Sequence, residues 1–285
     1  MRSHAESAKL QVRAGSACLR ARLCRATTAG KVDAPTSATW HQPTPPARRV
    51  TAAIICFRLA YPALVLFDID GTLVRRAGPH HREALVYGIR RITGLETTTD
   101  GIPVQGMLDP DILTVMLRRA GAPRALVKES LPEIMRAAER RYLRTCPVLH
   151  RKHCPGVEPL LDRLTRRGLL LGLVTGNLAR IGWRKLERAG LRRYFRFGAF
   201  GEMARTRAGL ARLAIREARR RGWIGARAPV TLIGDAPADI VAARANGIRI
   251  VAVKTGITPP RELLALRPDV LIPNLRHLRL RMVEE

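Results

Sequence analysis

Short apolar runs of strand length recur along the chain, and stretches with helical periodicity separate most of them. The runs are ALVLF (63–67), LLLGLVTG (169–176), FGAFGE (197–202), PVTLIGD (229–235), RIVAVKTG (249–256) and DVLIPNL (269–275). Helical patterns fill 157–167, 178–189, 207–221 and 237–246, and Gly168, Gly190, Gly222 and Gly247 close them as helix C-termini require. This alternation predicts an α/β fold, a doubly wound parallel sheet with helices on both faces. Between the first and second runs there is no convincing strand, only helical patterns near 82–93, 110–120 and 128–143. The organisation expected is an α/β core of residues 61–79 and 153–285, with an α-helical domain of residues 80–152 inserted after the first strand.

Residues 1–60 break the pattern. They are rich in Ala, Arg, Ser and Thr, carry only Glu6 and Asp33 as acids and contain the Pro-rich QPTPPARR, so they are expected to form a disordered basic extension. Such a start resembles an organellar transit peptide, but a gene start placed too far upstream, with the true one at Val50, gives the same composition and is the simpler reading. A chain starting at Val50 is expected to keep its fold and turnover.

The net charge of +28 comes mostly from arginine, since lysine supplies only six of the 51 basic residues, as a GC-rich coding sequence would produce. Residues 180–227 hold fifteen basic and three acidic residues, but basic residues run along every segment, and aromatic content is 4%. Without aromatic residues interleaved among the arginines there is no stacking platform, so nucleic acid is not the expected partner. No apolar run reaches membrane-spanning length. The five cysteines are irregularly spaced without a C-x-x-C pair, which argues for a reducing, cytoplasmic setting and against a disulfide framework. His150, His153 and Cys154 in HRKHC lack a second ligand group at metal-binding spacing and are read as a loop.

Three of the runs end in groups capable of chemistry: Asp68 and Asp70 in LFDIDGT, Thr175, Gly176 and Asn177 in VTGN, and Asp235 in GDAPAD, with Asp239 one helical turn on. Open parallel sheets bind ligands beyond the carboxyl ends of their strands, so these groups should converge on one edge. Carboxylates gathered there repel one another unless a cation sits among them, and a hard, oxygen-preferring ion such as Mg2+ suits them.

FDIDGT, PGVEPLL, LVTGN and LIGDAPADI, in that order, make the chain resemble the haloacid dehalogenase-like hydrolase superfamily from Tyr61 to the C-terminus, in its phosphatase branch with a helical cap inserted after the first strand, like the phosphoglycolate phosphatases. The resemblance implies that Asp68 attacks phosphorus to form an aspartyl-phosphate. Asp70 then protonates the leaving oxygen, activates water and binds the metal through its backbone carbonyl. Thr175, Gly176 and Asn177 would hold the phosphoryl oxygens, Asp235 would complete the Mg2+ site and Asp239 would support it. Dehalogenases of the superfamily lack an acid at the place of Asp70, so a phosphatase acting on a small phosphorylated metabolite is the reading it favours. A phosphotransferase or mutase on the same machinery is the alternative. A non-catalytic anion- or nucleic-acid-binding protein would be expected to have lost one of the aspartates.

Two places depart from the family pattern. The lysine usual before the fourth strand is replaced in GEMARTRAGL, where Arg207 is the best substitute and Thr206 reads as a helix N-cap. Lys185 in WRKLERAGL, the only lysine nearby, is the second candidate for that place, less favoured because a lysine on such an amphipathic helix is usually solvated. In the inserted domain, GMLDPDIL has Met107 and Leu108 where relatives often carry a basic residue and a hydroxyl, and Asp109-Pro110 reads as a helix start. His80 and His81, at the junction of core and insert, are read as surface histidines or as a further substrate contact.

Overall fold

The structure is a computed structural model that describes residues 60–75 and 77–284. The expectations for the N-terminal extension and for a start at Val50 lie outside the described residues.

Six parallel strands form one sheet in the order β3-β2-β1-β4-β5-β6. They are β1 (Leu64–Phe67), β2 (Leu170–Val174), β3 (Phe197–Ala199), β4 (Val230–Gly234), β5 (Arg249–Val253) and β6 (Val270–Ile272). Every residue of β1, β2 and β4 is buried, which is why these strands read as continuous apolar runs rather than as alternating ones. Side-chain alternation along β1 divides the core in two. Val65 and Phe67 pack with α4 (Val157–Arg166) and α5 (Ala179–Ala189), while Leu64 and Leu66 pack with α6 (Arg207–Arg220) and α7 (Pro237–Ala245). The short helix α8 (Pro260–Ala265) adds Leu263 to the second layer. Gly190 ends α5 in a left-handed conformation at φ 73°, as its place in the sequence predicts.

Between β1 and β2 lie α1 (His80–Thr93), α2 (Asp109–Arg119) and α3 (Arg124–Thr145). Gly88 lets α1 approach α3 closely: a Cβ there would stand 2.8 Å from the Ile134 carbonyl oxygen. Helix α3 starts earlier than its apolar period predicts, because its first two residues, Arg124 and Ala125, are exposed and carry no pattern. It also runs through Pro132, which sits on the exposed side of the helix. The insert shares the larger apolar cluster with the sheet through residues such as Leu85, Leu113 and Tyr142. Among the described residues no helix is long and apolar enough to cross a membrane.

Candidate active site

The chain leaves β1 on one side of the sheet, builds β2 and β3, then returns to β4 on the other side. The ends of β1, β2 and β4 therefore meet at the topological switch point, where such sheets bind ligands. Asp68 extends the ladder, its N–H donating to the Ile233 carbonyl at 3.0 Å, and its side chain is buried. The chain then turns sharply at Gly71, whose φ of +83° lies in the left-handed region. Space demands glycine there too: a Cβ would lie 2.3 Å from Asp235 Oδ2, and one on Gly256 would lie 1.8 Å from the same atom. Two glycines thus make room for the carboxylate of Asp235, which accepts from Thr72 Oγ1 at 3.0 Å and from Gln105 Nε2 at 3.3 Å.

Asp68, Asp235 and Asp239 each present a carboxylate oxygen within 4.8 Å of the others, all buried. In the metal-free protein, burial and the charges of Asp68 and Asp239 push Asp235 well above the usual carboxylate range. Burial, with Asp68 adding to it against the pull of Arg207, lifts Asp239 to about 6. Asp68 Oδ1 accepts no well-directed hydrogen bond, its charged neighbour being Arg207 Nη1 at 3.2 Å. An all-oxygen set with an orphaned acceptor and carboxylates that resist ionisation fits a small hard cation. Asp239 is committed elsewhere, accepting from Arg207 Nη1 at 2.7 Å and from the Ala236 N–H at 3.0 Å. Burial opposes the charge of Arg207, but Asp239 and Asp68 outweigh it and raise its pKa, so the guanidinium stays charged. Thr206 caps α6 through the Gly209 N–H, as expected, and Arg207 follows at the first helical position.

The expectation that Lys185 faces solvent is overturned. It is 1% exposed and donates to Asp70 Oδ2 at 2.6 Å and to Asn177 Oδ1 at 2.6 Å, with His81 Nδ1 at 3.2 Å. A signal for this was present: Lys185 falls on the stripe of α5 that buries Ile181, Gly182, Leu186 and Ala189. Asp70, 44% exposed and open to the cavity, feels burial raising its pKa, but Lys185 more than offsets this and leaves it below the usual value. Its side chain stands outside the three-carboxylate cluster. Asn177 Nδ2 donates to Asp70 Oδ2 at 2.8 Å and to Thr175 Oγ1 at 2.7 Å.

Asp109 opens α2, as its sequence suggests, but its carboxylate does not serve that helix. It accepts from the Leu178 N–H at 2.8 Å and lies 2.9 Å from His81 Nε2. His81 is partly buried rather than a surface residue. The HRKHC segment forms a 3₁₀ turn at His150–Lys152, His153 pairs with the Ala189 carbonyl at 2.8 Å, and burial pushes the Cys154 thiol up to about 12. A cavity of about 910 Å3 brings Asp68, Asp70, Thr175, Gly176, Asn177, Lys185, Arg207 and Asp235 together beneath residues of the insert. Gln105, Thr72 and the Leu178 N–H that meets Asp109 had no signal in the sequence, since each acts across 69 or more positions of chain.

Residues 62–247 match the model of the haloacid dehalogenase-like hydrolases. The chain belongs to this family. A phosphoglycolate phosphatase of Pseudomonas syringae pv. syringae is 30% identical over 227 residues, which is 76% of this chain and 78% of that protein. The phosphoglycolate phosphatase of Agrobacterium fabrum is 28% identical over 222 residues, covering 75% and 90%. Among solved structures, CbbY from Rhodobacter sphaeroides, in complex with phosphate, superposes with a TM-score of 0.59 at 20% identity over 78% of this chain and 99% of that one. The β-phosphoglucomutase of Clostridium difficile gives 0.57 at 17% identity over 77% and 94%. These likenesses confirm the α/β fold of this haloacid dehalogenase-like hydrolase, and the sequence relatives place it among the family's phosphatases.

Proposed function

We propose that the protein is a Mg2+-dependent hydrolase of small phosphate monoesters that works through an aspartyl-phosphate on Asp68. The observation that carries this reading is a buried, orphaned carboxylate oxygen on Asp68, set between Arg207 and the carboxylates of Asp235 and Asp239 at the floor of a cavity. Asp68, Asp235 and the backbone carbonyl of Asp70 would hold Mg2+, and Asp239 would act by holding Arg207. When bound, the ion neutralises charge between the nucleophile and the phosphoryl group.

A carboxylate oxygen of Asp68 attacks phosphorus, the P–O ester bond breaks, and Asp70 delivers a proton to the leaving oxygen. Water then attacks the acyl phosphate, Asp70 takes its proton, and inorganic phosphate leaves. In the free protein Lys185 keeps Asp70 ionised, the form the second half-reaction needs. An arriving phosphate dianion raises the proton affinity of Asp70 for the first half. Thr175, Gly176 and Asn177 line the cavity where the phosphoryl oxygens would sit, and Arg207 Nε is buried without an acceptor of its own. The inserted helices form the cap over this chemistry. The names of the sequence relatives make phosphoglycolate the first metabolite to try.

The test is hydrolysis of p-nitrophenyl phosphate, which should stop with EDTA, return with Mg2+ and vanish in Asp68→Asn, since an amide is a poor nucleophile. Activity close to wild type in that variant would refute the mechanism.

A further inference from the structure

Lys185 has three N–H donors and meets three acceptors: Asp70 Oδ2, Asn177 Oδ1 and His81 Nδ1. For Nδ1 to accept, the imidazole must carry its proton on Nε2. That nitrogen stands 2.9 Å from Asp109 Oδ2, so Asp109 selects the tautomer. The same carboxylate accepts from the Leu178 N–H at 2.8 Å, and the Asp109 backbone N–H donates to the Gly176 carbonyl at 2.8 Å. Contact here is close on both sides: a Cβ on Gly176 would stand 2.1 Å from the Met107 carbonyl oxygen, and Leu108 is buried in the apolar cluster that holds Leu64 and Val174. One residue of the insert thus grips both ends of the 176–178 turn and, through His81, the ammonium group beside Asp70. Asp109 is buried and does not meet the three-carboxylate cluster, so a role in holding the metal does not account for it.

We propose that Asp109 is a positioning residue for the phosphatase reaction, fixing the Thr175–Leu178 turn through its carboxylate and backbone amide and fixing Lys185 through His81. The proposal rests on the phosphatase reading above and adds to it a device that ties the seating of the insert to the geometry of the catalytic floor. A packing role alone would cost stability, whereas positioning costs turnover with substrate affinity kept.

The test measures kcat and KM for p-nitrophenyl phosphate at saturating Mg2+, together with hydrogen exchange of the free protein. Asp109→Ala and His81→Ala should each lower kcat by about tenfold to a hundredfold, the scale of a small misplacement of reacting groups. KM should stay within about twofold, because neither side chain is needed to bind the ester. The double variant should lose no more than Asp109→Ala alone, since both changes break one chain of contacts. His81→Asn, which keeps an acceptor near the place of Nδ1, should recover part of the loss. The Leu178 amide should exchange faster in Asp109→Ala but not in His81→Ala, and Asp111→Asn, on the exposed side of the same helix start, should match wild type throughout. Additive losses in the double variant, unchanged kcat in His81→Ala, or unchanged exchange at Leu178 in Asp109→Ala would overturn the proposal. Should Asp109→Ala fail to fold, His81→Ala and its rescue by Asn decide. A wild-type protein without phosphatase activity would defeat the functional reading instead, and exchange at Leu178 would still decide whether Asp109 holds the turn.

Discussion

Replacing Arg207 by Met keeps most of the side-chain volume and removes a guanidinium that meets two buried carboxylates. Its Nη1 lies 2.7 Å from Asp239 Oδ1 and 3.2 Å from Asp68 Oδ1, and all three residues are less than a tenth exposed. Removing one partner from a buried charged group costs about 3–5 kcal/mol, because the charges left behind have lost their water as well as their counter-ion. For a domain of this size, 1 kcal/mol corresponds to about 2–4 °C in Tm, so with EDTA present the variant should melt about 6–20 °C below wild type. Mg2+ should repair part of that. A ligand at a hundred times its Kd stabilises by about 2.7 kcal/mol, and a carboxylate cluster stripped of its fixed cation should bind the metal more tightly than wild type does. The Tm gain on passing from EDTA to Mg2+, measured by calorimetry or circular dichroism, should therefore be larger in Arg207→Met than in wild type. A loss under about 2 °C in EDTA, well below the range those buried contacts imply, would refute the view that Arg207 and the metal share the neutralisation of these aspartates. So would an Mg2+ gain no larger than that of wild type.

Lys185→Met should lower kcat/KM for p-nitrophenyl phosphate by about thirtyfold to a thousandfold, the equivalent of about 2–4 kcal/mol of transition-state stabilisation, because Asp70 and Asn177 lose the donor that fixes them. A value within threefold of wild type would show that Lys185 only fills space. The acid cluster also predicts a pH-dependent metal effect. Asp239 titrates at about 6 in the metal-free fold against an ordinary 3.8, so the native state binds more protons there than the unfolded chain. That contribution to stability is complete below about pH 4 and lost as pH rises through about 6. Mg2+ held by Asp68 and Asp235 would displace the protons of Asp235 directly and that of Asp239 through its charge, so the Tm difference between Mg2+ and EDTA should widen from pH 4.5 to pH 7. A difference that stays flat over this range would contradict the clustered-carboxylate account.

What the sequence made legible follows from how each feature is encoded. β1, β2 and β4 are buried on both faces, so burial alone writes them as apolar runs, and the polar residue that ends each run is the one the sheet delivers to the switch point. Asp68, Thr175 and Asp235 could be read for that reason. Short strands such as β3 and the start of α3 were located less sharply, because little apolar surface marks them.

The misplaced residue is Lys185, and its case separates two kinds of information. Charge type suggests solvent for a lysine on a helix, whereas position on the helix suggests burial, since Ile181 and Ala189 lie one turn to either side on the same stripe. A lysine on an apolar stripe is costly unless acceptors await it, and two of the three acceptors here, Asp70 after β1 and His81 in the insert, lie more than 100 positions away in the chain. The conflict between the two signals was visible in WRKLERAGL even though its resolution was not. A buried cation that breaks an amphipathic pattern is therefore itself evidence for a polar site, and here that evidence leads through His81 to Asp109, the residue whose sequence context explained it most simply as a helix start and whose carboxylate serves another helix altogether.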